Sequence, residues 1–208
     1  MKQCALLIVD LQNDFMPEGP LGVKRAHDIV PIINALMPQF SCVIASRDWH
    51  PENHVSFANS HPGMRVGDHI HVSGIEQILW PVHCVQNTTG ADFVPALKKE
   101  YISHQIYKGT DATIDSYSAF FDNKKLRSTG LREYLEERKI PCIVLAGLTT
   151  DYCVLYTVKD ACDLGLQTYV LRDACRAVNM HPDDEKKAFR EMEKRGAILI
   201  ESLDLLRN

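Results

Sequence analysis

The chain has 208 residues, with 23 Lys and Arg against 27 Asp and Glu, so its formal net charge is −4. Hydrophobic residues make up 45% and charged residues 24%, the ordinary balance of a globular protein. The mild acidity argues against nucleic acid or an anionic membrane as the main partner, because such binders concentrate Lys and Arg. The longest apolar run, Cys4–Val9, is far shorter than the ~20 residues that cross a bilayer, and no cleavage site follows it. We therefore expect neither a membrane span nor a secretion signal.

Apolar segments rich in β-formers alternate with amphipathic segments along the whole chain. At about 150 residues per domain, the length predicts a single domain over residues 1–208. The alternation is typical of an α/β protein with a mainly parallel sheet, whose strands are apolar because helices cover both faces. The predicted strands are Cys4–Val9, Cys42–Ser46, Gln105–Tyr107, Cys142–Ala146, Gln167–Leu171 and Ala197–Ile200. The predicted helices are His27–Met37, Thr129–Arg138, Thr150–Leu164 and Pro182–Arg195.

Residues 48–94 interrupt this alternation. The segment holds six of the nine histidines and several aromatic residues but has no strong periodicity. A loop of this length inside a compact domain is usually functional or disordered, and the aromatic residues favour function. We expect His69 and His71, which lie between glycines in this segment, to be exposed.

The seven cysteines are an odd number spread over the whole chain. A chain long enough to build its own core does not need a disulfide framework, so we predict reduced thiols and a cytoplasmic protein. Cys4, Cys42 and Cys142 fall inside predicted strands, which favours a packing role. Cys84 and Cys175 fall in loops, where their roles stay open.

Chemically active side chains follow four of the predicted strands. Asp10 and Lys108 come directly after the first and third strands, Asp48 lies two residues after the second, and Cys153 falls in the first turn of the helix after the fourth. Ligands of open α/β sheets bind beyond the carboxyl ends of the strands, so these side chains would share one edge. A helix N-terminus would lower the pKa of the Cys153 thiol. The pattern predicts a thiol nucleophile beside candidate bases.

The same region contains a candidate metal site. Asp48 and His50 alternate along an extended segment, so both side chains would lie on one side, and His83 is a third candidate. Two histidines and one carboxylate suit Zn²⁺, Fe²⁺ or Mn²⁺ and leave positions open for water or substrate. His54 is a further candidate, as fourth ligand or as partner of a ligand. Cys84 in place of His83 is a weaker alternative, because thiolate ligation favours closed sites.

Five segments together resemble one family. LLIVDLQNDF at 6–15, SRDWHPENHVSF at 46–57, WPVHCVQNTTGADF at 80–93, YKGTD at 107–111 and GLTTDYCVLYT at 147–157 are similar to the nicotinamidase/pyrazinamidase branch of the isochorismatase-like cysteine hydrolases. The resemblance spans most of the chain in the expected order. It implies a three-layer α/β/α sandwich with six parallel strands in the order 3-2-1-4-5-6.

The resemblance also implies an activity, the hydrolysis of nicotinamide to nicotinate and ammonia in NAD salvage, and extends it to pyrazinamide. By matching positions, Asp10, Lys108 and Cys153 would form the catalytic triad. A cis peptide would precede Thr149, and the backbone N–H groups of Thr149 and Cys153 would form the oxyanion hole. The other implied site residues are Asp48, His50 and His83 for one divalent metal, with His54 less certain, and Phe15, Leu21 and Trp80 for the pyridine pocket.

Three other functions stay open at this point. Carbamoyl-cleaving amidohydrolases share the acid, lysine and cysteine, but generally lack the Asp-x-His…His set. Non-haem iron oxygenases use the same three ligand types, although they are commonly built on β-rich barrels. A degenerate hydrolase would bind without turnover, yet all three catalytic residue types are present. The oligomeric state is open too: the Met180-His-Pro loop and the C-terminal Leu-Leu offer surfaces for a homo-oligomer.

Overall fold

The computed structural model describes residues 3–72 and 74–206, and its centre is a six-stranded parallel sheet. The sheet strands are β1 (Cys4–Val9), β2 (Val43–Asp48), β5 (His104–Lys108), β6 (Cys142–Leu148), β7 (Gln167–Arg176) and β8 (Ile198–Ile200). Their spatial order is β5-β2-β1-β6-β7-β8, and every neighbouring pair is parallel. Counted along the chain within this sheet, the order is 3-2-1-4-5-6, so the predicted topology is confirmed.

Helices cover both faces of the sheet, as the continuous apolar strands require. On β1, Leu6 and Ile8 face the core that also contains α1 (Ile29–Leu36), whereas Leu7 and Val9 face the opposite core. That second core contains buried side chains of α2 (Leu131–Glu137), α3 (Leu155–Asp163) and α4 (Asp184–Lys194), while the short α5 (Leu203–Leu206) packs on the first. The α/β/α sandwich is therefore confirmed.

The long segment at 48–94 contains a hairpin that the sequence did not indicate. Strands β3 (His69–Val72) and β4 (Ile75–Ile78) pair antiparallel outside the main sheet. The β4 sequence, Ile-Glu-Gln-Ile, lacks the polar–apolar alternation that predicts a strand, and the alternation of His-Ile-His-Val in β3 extends over only four residues. His69 and His71 are exposed on this hairpin, as predicted.

The expectation that all cysteines are reduced is wrong for one pair. Cys4 and Cys142 form a disulfide, and Cys42, Cys84, Cys153, Cys162 and Cys175 are free thiols. The two bridged residues are register partners on adjacent parallel strands, with Cα atoms 4.4 Å apart. Their 138-residue separation in sequence hides this proximity, which only the strand register brings about.

The turn after β6 adopts an unusual backbone. The peptide bond between Leu148 and Thr149 is cis, as the family resemblance implied. Gly147 just before it has a φ of 126°, and a Cβ there would collide with the carbonyl oxygen of Val9 on the adjacent strand. Glycine is thus required where β6 passes β1, at the edge where both strands end.

No helix in the described part of the chain is long and apolar enough to span a bilayer.

Candidate active site

Asp10 is a fully buried carboxylate at the carboxyl end of β1. Its backbone takes the left-handed conformation, with a φ of 47°, which Asp tolerates better than most residues. The Ser46 hydroxyl donates to Oδ1 at 2.7 Å, and Oδ2 lies 2.8 Å from the Lys108 ammonium. Burial raises the pKa of this carboxyl despite the opposing charge of Lys108. Asp10 is therefore a base of increased proton affinity, held in one orientation.

Lys108 ends β5, and its register partner on β2 is Asp48. Its buried ammonium contacts both the Asp10 and Asp48 carboxylates, donates to the Ser116 carbonyl at 3.2 Å and lies 3.3 Å from the Cys153 sulfur. Burial alone would lower the pKa of Lys108, but the two carboxylates outweigh it and raise that pKa well above its ordinary value. The side chain is thus a permanent cation between an acid and a thiol.

Cys153 lies in a π-helical turn, Thr150–Val154, that leads into α3, where the sequence predicted a single helix from residue 150 to 164. The expected lowering of its thiol pKa is wrong. Burial, together with the nearby Asp10 and Asp48 carboxylates, raises the pKa of Cys153 well above its ordinary value, although Lys108 opposes the shift. The sulfur and one oxygen from each of those carboxylates lie within 4.8 Å of one another. Cys153 is therefore a protonated thiol that needs an adjacent base.

Asp48, His50 and His83 form a buried group of potential metal ligands. The Nε2 atoms of His50 and His83 lie 3.5 and 3.6 Å from the same Asp48 oxygen, Oδ2. Their Nδ1 atoms are occupied by backbone carbonyls, at 3.0 Å from Gly109 and 2.8 Å from Pro81. This arrangement fixes the tautomer that turns both Nε2 lone pairs inward, as metal-binding histidines require. The donor set fits one divalent cation with open positions.

Gly109 makes the His50 position possible. It follows Lys108 with a φ of 65°, and a Cβ there would collide with the His50 imidazole. Any side chain at residue 109 would therefore displace a candidate ligand.

His54 lies outside the group around Asp48 but forms a second group of potential ligands with His50 and Asp115, whereas Cys84 belongs to no such group in the described part of the chain. The Ser56 hydroxyl donates to His54 Nδ1 at 2.7 Å, and Nε2 donates to the Ile114 carbonyl at 3.3 Å. Burial and the neighbouring His50 lower the pKa of His54 to about 4, so it is neutral. Cys84 is fully buried, and burial raises its pKa well above the ordinary value.

One cavity of about 310 Å³ connects the thiol with the candidate metal ligands. Its lining residues are Phe15, Leu21, Asp48, His50, Trp80, His83, Asp115, Tyr117, Thr149, Tyr152, Cys153 and Val178. The three residues expected to bind a ring, Phe15, Leu21 and Trp80, are therefore brought beside the nucleophile.

Four lining residues were missed by sequence reasoning: Asp115, Tyr117, Tyr152 and Val178. Tyr152 directly precedes the nucleophile, and this adjacency alone could have identified it. Asp115 and Tyr117 lie in the irregular segment after β5, where no periodicity marks them. The arrangement as a whole places a thiol close to a candidate base, next to aromatic side chains and a group of potential metal ligands that line one cavity.

Comparisons with known proteins show the family to which the chain belongs. The model of the isochorismatase domain matches residues 4–204. Nicotinamidase of Escherichia coli is 44% identical over 199 residues, which cover 94% of this chain and 93% of that protein. The structure of Acinetobacter baumanii nicotinamidase pyrazinamidease has a TM-score of 0.95 at 41% identity and covers 99% of both chains. Pyrazinamidase of Pyrococcus horikoshii in complex with zinc has a TM-score of 0.77 at 35% identity, covering 96% of this chain and 99% of that one. The chain belongs to the isochorismatase family.

Proposed function

We propose that the protein is a metal-containing cysteine amidohydrolase that converts nicotinamide into nicotinate and ammonia in NAD salvage, and that it also hydrolyses pyrazinamide. The observation that carries this proposal is the single cavity lined by both Cys153 and the Asp48–His50–His83 group. The 44% identity to a nicotinamidase over nearly the whole chain supports the same substrate.

In the first half-reaction, Asp10 accepts the proton of the Cys153 thiol as the sulfur attacks the amide carbon. Because burial raises the pKa of Cys153, a free thiolate is disfavoured, which supports proton transfer to Asp10 as the sulfur attacks. Lys108, 3.3 Å from the sulfur, stabilises the charge that develops there. Asp10 then passes the proton to the departing nitrogen, so ammonia leaves and a thioester remains.

The backbone N–H groups of Thr149 and Cys153 are proposed to stabilise the tetrahedral oxyanion. Loss of one such donor typically costs about 2.7–4 kcal/mol of transition-state stabilisation. In the second half-reaction, Asp10 takes a proton from water as the water attacks the thioester. Nicotinate then leaves, and the sulfur recovers its proton.

The substrate ring is proposed to lie among Phe15, Leu21 and Trp80 and to point its nitrogen towards the metal group. Asp48, His50 and His83 would hold one Zn²⁺, Fe²⁺ or Mn²⁺ ion, without His54, whose two ring nitrogens are already hydrogen-bonded. When bound, the metal supplies an open position for the pyridine nitrogen, directly or through water. Availability decides among these metals as much as affinity does.

We also propose a cytoplasmic location, because five of the seven cysteines, including the proposed nucleophile, are free thiols. The Cys4–Cys142 bridge is the exception to this pattern.

Ammonia release from nicotinamide tests the proposal. The wild-type protein should release ammonia, the Cys153→Ala variant should release none while keeping its fold, and Cys162→Ala, which changes a free cysteine outside the cavity, should behave as wild type. Activity should fall on chelation and return when metal is added. Wild-type-like release by Cys153→Ala, or hydrolysis of N-carbamoyl compounds but not of nicotinamide, would overturn the proposal.

A further inference from the structure

Gln77 is a buried polar side chain on the hairpin outside the main sheet. Only 3% of it is exposed, and it is the one buried residue of β4. A buried amide is costly unless its hydrogen bonds are made, so its partners indicate why a polar residue occupies this position.

All three partners of the Gln77 Nε2 group are acceptors. It lies 2.8 Å from the Ile78 carbonyl, 3.0 Å from Asp115 Oδ2 and 3.1 Å from the Tyr117 hydroxyl. Two of these acceptors, Asp115 and Tyr117, line the cavity that holds Cys153, whereas Gln77 itself does not line it. The amide therefore reaches the cavity only through these two side chains.

The Tyr117 hydroxyl accepts a second hydrogen bond, from the Trp80 indole N–H at 3.1 Å. The indole N–H can only donate, and the two hydrogens of the Gln77 amide nitrogen are shared among its three acceptors, so neither partner can accept the phenol proton. In the described part of the chain, no group accepts that proton. Since Tyr117 lines the cavity, the proton is available to a bound ligand.

The backbone of residues 115–117 is held by contacts that do not involve Gln77. The Asn123 amide donates to the Asp115 carbonyl at 2.8 Å, and the Tyr117 amide donates to Asn123 Oδ1 at 3.0 Å. The Ser116 hydroxyl donates to the Phe121 carbonyl at 2.9 Å. Loss of the Gln77 amide would therefore change the orientation of two side chains and leave the loop in place.

From these contacts we propose that Gln77 is a positioning residue of the substrate pocket. Its amide orients the Tyr117 hydroxyl so that this hydroxyl donates to an acceptor atom of the bound aromatic amide. The same amide holds the Asp115 carboxylate next to the Tyr117 hydroxyl. This inference rests on the proposed function for the identity of the amide.

The expected kinetic effect is on KM rather than on kcat. Gln77 makes no hydrogen bond with Asp10, Lys108 or Cys153, so the chemical step keeps its own groups. Losing an interaction made equally in the ground state and the transition state raises KM and leaves kcat unchanged. Loss of one or two hydrogen bonds between the substrate and the pocket side chains corresponds to a rise in KM of about tenfold.

The variants needed are Gln77→Leu, which removes the amide at similar volume, and Gln77→Glu, which keeps the shape but replaces the donor by an acceptor. Both should raise KM for nicotinamide about tenfold, with kcat within about twofold of wild type. Glu76→Gln, at the neighbouring exposed position of β4, is the matched control and should leave both constants unchanged. Thermal melting of each variant separates loss of fold from loss of binding.

A double-mutant cycle tests whether Gln77 acts through Tyr117. Tyr117→Phe should raise KM as Gln77→Leu does, and the double variant should be no worse than either single variant, because both remove the same donor. Additive effects, an unchanged KM in Gln77→Leu, or a fall in kcat without a rise in KM would overturn the proposal.

An NMR measurement tests the positioning without any activity. The indole N–H signal of Trp80, assigned with Trp80→Phe, should shift in Gln77→Leu and stay in place in Glu76→Gln. An unshifted signal overturns the positioning role even if the enzyme is active. A shifted signal in a protein that does not hydrolyse nicotinamide would instead support the network and overturn the proposed substrate.

Discussion

The Lys108 ammonium lies 3.3 Å from the Cys153 sulfur, and the same ammonium contacts the Asp10 and Asp48 carboxylates. One cation therefore contacts both the proposed catalytic residues, Asp10 and Cys153, and the candidate metal ligand Asp48. Since all these groups are buried, each carboxylate depends on Lys108 to offset the cost of its desolvation.

Replacing Lys108 by Met should both inactivate and destabilise the protein. The variant leaves two carboxylates buried without their cation, a change that typically costs about 3–5 kcal/mol of unfolding free energy. Lys186→Met is the matched control, because Lys186 and its ion-pair partner Asp183 are both exposed, and such pairs contribute about 0–1 kcal/mol. Urea unfolding of the metal-free proteins measures both values. Equal stability of Lys108→Met and wild type would contradict the buried-cation interpretation.

Asp10→Asn should lower kcat and leave KM nearly unchanged. The change removes the base but keeps an oxygen able to accept from Ser46, so the pocket keeps its shape. General-base catalysis contributes roughly 10²–10⁴-fold, which is the expected loss. Ser46→Ala removes a hydrogen bond that orients the Asp10 carboxylate but keeps the carboxylate itself, so the fall in kcat should be smaller. Pre-steady-state ammonia release measures the acylation step, and a wild-type rate in Asp10→Asn would assign the base to another group.

Gly109→Ala should weaken metal binding. The added Cβ would collide with the His50 imidazole, and alanine is strained at the positive φ of this position. Gly165→Ala carries a similar positive φ with nothing within 4 Å of the added Cβ, so it isolates the backbone strain. Metal content after dialysis, measured by elemental analysis, should fall in Gly109→Ala only. An equal metal content in the two variants would show that His50 does not require the open space at residue 109.

Most of the main sheet and its helices could be predicted because most of the sheet strands are short apolar runs and the helices are amphipathic. Asp10, Asp48 and Lys108 could be brought together from sequence because parallel strands place their carboxyl ends at one edge. The proximity of Gln77 and Tyr117 could not be predicted, since both residues lie where neither a helical nor a strand period indicates the direction of the side chains. Their proximity depends on how the hairpin folds back on the pocket.

The raised pKa of Cys153 could not be predicted from the sequence either. A cysteine near the start of a helix predicts a lowered pKa, but that expectation ignores burial and the two carboxylates near the sulfur. Such desolvation depends on every element that surrounds the thiol. The expected direction of the pKa shift is therefore wrong, while the role of Cys153 as nucleophile stays a prediction.

The Cys4–Cys142 disulfide should stabilise the fold without supporting the chemistry. It closes a segment of 138 residues, and bridges typically contribute about 2–4 kcal/mol, more for longer loops. The bridge joins the amino ends of β1 and β6, whereas Asp10 and Cys153 follow their carboxyl ends. Replacing both bridged cysteines by Ser should therefore lower the unfolding free energy and leave kcat unchanged.

Reductant provides the control for this last change. Dithiothreitol should shift the urea midpoint of the wild type to that of the double Ser variant and should leave the variant's own midpoint unmoved. Thiol titration of the denatured, unreduced wild type should give the five free cysteines Cys42, Cys84, Cys153, Cys162 and Cys175. Seven titratable thiols, or a wild-type midpoint insensitive to reductant, would show that the two strands are held by packing and hydrogen bonds alone.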